Sequence, residues 1–154
     1  LRYPIEVLKA MRAALSSDKP LLVRISAHDW AEGGITPDDA VAIAKQFKAA
    51  GADLVDVSSG EVVAHQKPVY GRMFQTPFAD RIRNEASIPT MAVGAILEAD
   101  HANSIIAAGR ADLCALSRGF LANPAWPLHE AAKLGYQDIT WPAPYLWGKD
   151  WLSR

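Results

Sequence analysis

Short apolar runs alternate along this chain with stretches in which apolar residues recur every three or four positions. Ile5, Leu8, Met11 and Leu15 stand at helical spacing across residues 4–15, and Ser16-Ser17-Asp18-Lys19-Pro20 breaks the pattern. Residues 21–26 then read as a strand buried on both faces of a parallel sheet. A loop over 27–35, with Gly33 and Gly34, leads to Thr36 as a helix cap and Pro37 in the first turn of a helix ending near residue 50. Gly51 stops that helix, and residues 53–57 form a second strand ending in Ser58-Ser59-Gly60. A third helix carries Pro77, Phe78 and Ile82, residues 90–93 form a third strand closed by Gly94, and a helix over 98–108 is stopped by Gly109. Residues 112–116 complete the strands, two short helices follow over 117–121 and 125–134, and residues 135–154 form a tail rich in proline and tryptophan.

The pattern repeats at the level of whole units. Ala-Gly-Ala-Asp-Leu-Val-Asp-Val-Ser-Ser-Gly at 50–60 and Ala-Gly-Arg-Ala-Asp-Leu-Cys-Ala-Leu-Ser-Arg-Gly at 108–119 each run from a helix end through a glycine turn and an aspartate into a strand and a polar loop. Four such alternations predict an α/β fold with parallel strands and right-handed crossovers, four of the eight units of a TIM barrel, which typically needs about 250 residues. An open doubly wound sheet is the rival, but its three spaced glycines after the first strand are missing.

Composition narrows the partners more than the fold. With 154 residues, half of them apolar, and a net charge of −1, the chain reads as one globular domain without the basic block of a nucleic-acid or membrane-surface protein, so a small-molecule substrate is expected. A single cysteine, Cys114, and the absence of a signal-like or membrane-spanning run predict a cytoplasmic protein, and the missing initiator methionine suggests a fragment.

Each strand ends in groups suited to an anionic or heteroaromatic ligand: Arg24 and Ser26, Ser58 to Gly60, Gly94, and Ser117-Arg118-Gly119. In a parallel barrel these ends share one face. Backbone donors at a helix start beside Arg118 suit a phosphate, and Gly94 permits close approach, although both glycines also serve as plain turn residues and Arg118 as a solvated charge. Arg24 closes an apolar strand, where burial demands an acceptor, with Asp56 in the next strand as the structural candidate. The loop over 61–74 carries His65, Tyr70, Arg72 and Phe74, more chemistry than chain closure needs. The four histidines show no metal-ligand spacing, Ser58 and Ser59 lack a nucleophile elbow, and Cys114 alternates with apolar neighbours as a core thiol does. Trp126, Trp141, Trp147 and Trp151 predict a tail that packs on the barrel wall or serves a subunit interface.

Several of these segments together resemble the C-terminal half of the Old Yellow Enzyme family of FMN-dependent NAD(P)H oxidoreductases, especially its thermophilic-like subgroup. The resemblance rests on Leu22-Val23-Arg24-Ile25-Ser26-Ala27 with Asp29, Gly51-Ala52-Asp53 leading to Val57-Ser58-Ser59-Gly60, Ala92-Val93-Gly94, and Gly109-Arg110-Ala111-Asp112-Leu113 leading to Arg118. Residues 69–79, Val-Tyr-Gly-Arg-Met-Phe-Gln-Thr-Pro-Phe-Ala, are also similar to the reductase domain of bifunctional aminobenzoyl-CoA and salicylyl-CoA flavoenzymes.

The resemblance implies that Arg24 meets the N1 and C2 carbonyl edge of FMN, that Ser58 lies near the flavin or its ribityl chain, and that Gly94, Ser117 and Arg118 hold the phosphate. Ser117 stands where relatives often carry glycine or alanine, which leaves its backbone donor intact. The family's first four strands supply the N5-side contacts, the substrate-binding histidine pair or His-Asn pair and a tyrosine proton donor, none of which is in this chain. The segment Tyr145-Leu146-Trp147-Gly148-Lys149 does not match the subgroup's C-terminal arginine region. The implied protein passes hydride from NAD(P)H through FMN to an activated alkene or aromatic acyl-CoA. This part of it is expected to be inactive alone and to pair with itself as a homo-oligomer or with a complementary N-terminal half-barrel. A non-catalytic phosphate-binding or assembly module is the alternative.

Overall fold

In the computed structural model, which describes residues 1–152 apart from the side chain of Asp150, helices and strands alternate along most of the chain. They are α1 (Arg2–Ala14), β1 (Leu22–Ser26), α2 (Pro37–Ala49), β2 (Leu54–Ser58), α3 (Thr76–Ala86), β3 (Thr90–Val93), α4 (Ala99–Ala107) and β4 (Leu113–Ala115). The short helices α5 (Arg118–Ala122) and α6 (Trp126–Lys133), a 3-10 turn at Ala143–Tyr145 and α7 (Leu146–Leu152) complete it. The four strands pair in parallel in the order β1-β2-β3-β4. A doubly wound sheet reverses its strand order at a switch point, so unbroken sequential order marks a TIM-barrel fragment of four β/α units.

Register assigns the two faces. Val23 and Ile25, Val55 and Val57, Thr90 and Ala92, and Cys114 share one side. There they meet the buried faces of the helices, including Ala44 and Phe47 of α2, Ala79 and Ile82 of α3 and Ile105 of α4. α2 starts at a capping box: Asp39 N–H donates to Thr36 Oγ1 (3.3 Å) while Thr36 N–H donates to Asp39 Oδ2 (3.0 Å). The other face carries Leu22, Arg24, Leu54, Asp56, Met91, Val93, Leu113 and Ala115; Leu54 is buried, but Leu22 is 44% and Leu113 50% exposed. Burial on both faces, expected for the first strand, does not occur: Leu22 and Arg24 are exposed, and Val23 and Ile25 on the helix side are only partly buried. The inner face of a barrel is closed by the strands opposite, and four strands do not curl far enough to supply them.

The repeated aspartate has one structural job, performed twice. Asp53 precedes β2; its carboxylate accepts the N–H of Leu21 (2.7 Å) and an Arg12 guanidinium N–H (3.0 Å), and its own N–H donates to Leu21 O (2.9 Å). Asp112 precedes β4; its carboxylate accepts the N–H of Thr90 (2.9 Å) and the guanidinium of Arg83 (3.1 Å), and its N–H donates to Thr90 O (2.9 Å). Each aspartate thus fastens the start of its strand to the start of the preceding one and to a helix arginine. Because the carboxylates are engaged sideways, strand geometry begins one residue later than the apolar pattern suggested, at Leu54 and Leu113. Gly51 (φ +100°) and Gly109 (φ +66°) provide the left-handed residue that ends the helix before each turn.

Burial pulls the Asp112 pKa upward, but the Arg83 hydrogen bonds, the Thr90 N–H and the Arg83 charge outweigh it and hold the carboxyl below its ordinary range. A group depressed in the folded chain contributes stability above its unfolded pKa, about 4 for aspartate, and loses it as pH falls through the lower folded value. Asp112→Asn should therefore lower stability at pH 7 by about 1 kcal/mol, below the usual range for charged hydrogen bonds because the pair is a third exposed. Urea unfolding should show the gap between variant and parent narrowing as pH drops below about 4. A gap independent of pH would exclude this role.

Candidate functional site

Because all four strands run the same way, their C-terminal ends meet on one edge, where a cleft of about 800 Å³ opens. Ligand sites commonly span about 300–1,000 Å³. The five residues singled out from the sequence, Arg24, Ser58, Gly94, Ser117 and Arg118, all line it.

Arg24 reaches across from β1 to β2: Nη1 is 3.2 Å from Asp56 Oδ2 and Nη2 donates to Ser58 Oγ at 3.2 Å. Its side chain is 58% exposed against 17% for Asp56. The expected burial of Arg24 does not occur, because the inner face on which it lies is open. Asp56 is its acceptor, and the pair pins a positive charge beside the Ser58 hydroxyl. The other oxygen of Asp56, Oδ1, is buried without a hydrogen-bond partner among the described residues.

At the far side of the cleft Ser117 immediately precedes α5 without a capping bond from its side chain, and the first-turn N–H groups of α5 have no carbonyl one turn back to bond. Arg118 beside them is exposed and has no ion-pair partner among the described residues. The β3–α4 loop between these two regions is anchored from below. Trp126 Nε1–H donates to Leu97 O (3.0 Å), Leu97 N–H donates to His101 Nδ1 (3.2 Å), and Ala99 N–H donates to a carboxylate oxygen of Glu130 (3.2 Å).

Gly94 is explained by its neighbours. It has φ +105°, and a Cβ there would collide with Gln75 Nε2 and stand 3.1 Å from Phe74 Cε1. The glycine is thus required by the protein's own packing, whether or not a ligand approaches it. The residue responsible, Gln75, was not apparent from the sequence. It is 4% exposed, accepts from Ser59 Oγ–H (2.7 Å) and donates to Val93 O (2.7 Å), while Ser59 accepts from Trp30 Nε1–H (3.0 Å). Its one sequence signal is a polar residue immediately before the Thr76-Pro77 helix start, which reads as a loop residue.

Of the four loop residues expected at the site, Tyr70 and Phe74 line the cleft and pack edge to face at 5.2 Å, whereas His65 and Arg72 are exposed and do not line it. Cys114 lies on the helix side of the sheet, where burial pushes its thiol pKa up and away from nucleophile chemistry. The tryptophans divide: Trp126 and the buried Trp141 pack, while Trp147 and Trp151 are 86% and 76% exposed. A second, apolar hollow of about 600 Å³, lined by Leu128, Trp141, Tyr145 and Trp151, contains no strand-end residue. Among the described residues no helix is long and apolar enough to cross a membrane.

The sequence profile of the NADH:flavin oxidoreductase / NADH oxidase family matches residues 1–136, which carry every element that builds the cleft. The chain belongs to that family. Within the NADH:flavin oxidoreductase / NADH oxidase family it is similar to the NADPH dehydrogenase of Geobacillus thermodenitrificans strain NG80-2, at 45% identity over 146 residues, covering 95% of this chain and 41% of that protein. Similarity to the NADPH dehydrogenase of Geobacillus sp. strain WCH70 is 47% over 134 residues (87% and 38%), and to that of Listeria innocua serovar 6a 39% over 152 residues (97% and 43%). The chain spans about two fifths of the length of these curated relatives.

The Gly94 environment gives a direct check. Gly94→Ala should destabilise by about 1–3 kcal/mol through backbone strain and the Gln75 contact. Gly71→Ala, where a Cβ meets nothing within 4 Å, should stay within about 0.5 kcal/mol of the parent. Equal thermal midpoints for the two variants would show that Gly94 is not constrained as described.

Proposed function

We propose that residues 1–154 are the C-terminal, FMN-holding half of a (β/α)8 NAD(P)H-dependent flavin oxidoreductase, with residues 135–154 as its tail. In this reading the parent is of the thermophilic-like Old Yellow Enzyme subgroup, similar to the reductase domain of the aminobenzoyl-CoA and salicylyl-CoA flavoenzymes. It acts in the cytoplasm on an activated alkene or an aromatic acyl-CoA, with NADPH or NADH as reductant. The observation that carries the proposal is the convergence of Arg24, Ser58, Gly94, Ser117 and Arg118 on one cleft at the strand C-termini. Family membership and the NADPH dehydrogenase relatives support it.

The donor set fits FMN. Arg118 and the first-turn N–H groups of α5 suit a doubly charged phosphate. Across the cleft, Arg24 and Ser58 offer N–H and O–H donors to an electron-rich, carbonyl-bearing ring edge. Bound FMN supplies hydride chemistry between a nicotinamide and an electron acceptor. Asp56 and Ser58 keep the Arg24 charge in place, so its stabilisation of negative charge at the ring needs little rearrangement. Between the two charged ends Gly94 adds no side chain to the cleft, and the loop that follows it is anchored through Leu97 O. No substrate-activating histidine pair accompanies these groups, so this half is inactive alone, and its open inner face draws a complementary N-terminal half-barrel or a second copy.

Titrating the chain with FMN and with riboflavin tests the reading. FMN should bind more tightly than riboflavin, and Arg118→Ala should weaken FMN by about tenfold or more while leaving riboflavin unchanged. Indifference to FMN together with binding of another phosphate compound would favour the non-catalytic module instead. Sedimentation of the chain alone at low micromolar concentration should reveal dimers or larger species; a persistent, soluble monomer would count against the open face as an association surface.

A further inference from the structure

Gln75 occupies the gap where β2 and β3 stop being paired. Their ladder ends at Val57 and Ala92, and the residues that form the cleft, Ser58 to Gly60 and Val93 to Gly94, lie at or beyond that point. Parallel strands diverge there unless something joins them, and the Gln75 side chain spans the break. The direction of every link is fixed by chemistry. An indole N–H only donates, so Ser59 Oγ accepts from Trp30 and turns its own hydrogen to Gln75 Oε1; a backbone carbonyl only accepts, so the amide must present Nε2–H to Val93 O. The result is a one-way relay, Trp30 to Ser59 to Gln75 to Val93, that ties the β1–α2 loop, the end of β2, the start of α3 and the end of β3. Gln75 also holds the capping position before Thr76, yet its side chain makes no capping bond to α3. A buried amide diverted from its local use, with both its oxygen and its nitrogen spent on strand ends, points to a task at the cleft.

We propose that Gln75 is a positioning residue: its amide sets the separation of the β2 and β3 ends, and so the distance between the Arg24–Ser58 wall of the cleft and the Gly94 wall. Gly94 is the second half of the same device, since any side chain there would displace the amide. The consequence for a ligand rests on the FMN reading above; the clamp itself does not.

Amide hydrogen exchange on the ligand-free chain separates a local clamp from general stability. Gln75→Met keeps the length and removes both hydrogen bonds. It should speed exchange at Gly60, whose N–H donates to His28 O (2.8 Å), and at Met73, whose N–H donates to Ala95 O (3.2 Å), by about tenfold. The N–H groups of Asp53 and Asp112, at the opposite edge of the sheet, should be unchanged, whereas global destabilisation would accelerate both edges alike. Ser59→Ala, which cuts a single link, should give a smaller acceleration at Gly60, and Ser59→Thr, which keeps the hydroxyl, should restore protection. In FMN titration Gln75→Met should weaken binding by about tenfold. Unchanged exchange at Gly60 and Met73, or equal acceleration at both edges, overturns the clamp. Loosened strand ends with FMN affinity intact overturn its positioning role. Failure of the parent chain to bind FMN defeats the FMN reading, while the exchange experiment still decides the clamp.

Discussion

A parallel ladder has one C-terminal edge, and everything chemical in this chain depends on that. Arg24, Ser58, Gly94 and Arg118 are separated by long stretches of sequence, yet sequential pairing of β1 to β4 brings them to one rim. Hydrogen bonding alone would allow the strands to slip; the paired aspartates prevent it. Asp53 and Asp112 each clip a strand start to its predecessor's backbone through two bonds, and a one-residue slip would break both and turn the inner face outward. The clips lie at the N-terminal edge and the cleft at the other, so register is fixed at the end of the sheet away from the cleft, as in barrels generally.

Much of this was legible in the sequence because the relevant signals are local. Thr36-Pro37 starts α2, and the two glycine turns end α2 and α4, through backbone geometry that a few adjacent residues determine. Alternation of elements then implies a parallel sheet, and a parallel sheet implies shared strand ends, which brings Arg24, Ser26, Ser58 to Gly60, Gly94 and Ser117 to Gly119 to one rim; the family resemblance narrows these to five. What escaped notice is non-local. The same glycine turn and Ala-Asp step that reveal a repeat do not reveal that the aspartate reaches sideways to Leu21 or Thr90. Gln75 sits in a loop by every local criterion, and only the approach of Ser59, 16 positions away, and Val93, 18 positions away, turns it into a buried bridge.

Arg24 shows how the choice of a residue can rest on an incomplete argument. A buried guanidinium needs an acceptor, and Asp56 is there, but the side chain is mostly exposed, so desolvation does not force the pair. The ion pair instead orients the guanidinium toward the cleft rim and couples it to the Ser58 hydroxyl. An exposed pair of this kind adds little to stability, about 0–1 kcal/mol. Its energetic value rises only when the surrounding water is removed, which happens if a ligand or a covering segment closes over it.

That condition links the cleft to the open face. Complete burial of a leucine side chain is worth about 1.5–3 kcal/mol, and Leu22 and Leu113 each leave roughly half of that unrealised. Covering them with apolar surface would be favourable. The Arg24–Asp56 pair lies on the same face, in register with Met91, and an apolar cover would take the mostly exposed Arg24 guanidinium out of water as well. Removing an ion pair from water costs several kcal/mol per ion, which can exceed the gain from two half-buried leucines. Apolar contact alone is therefore a poor criterion for what could cover this face: a favourable cover would be apolar opposite Leu22 and Leu113 and polar at the level of Arg24 and Asp56, so that drying the face does not leave the pair without hydrogen-bond partners.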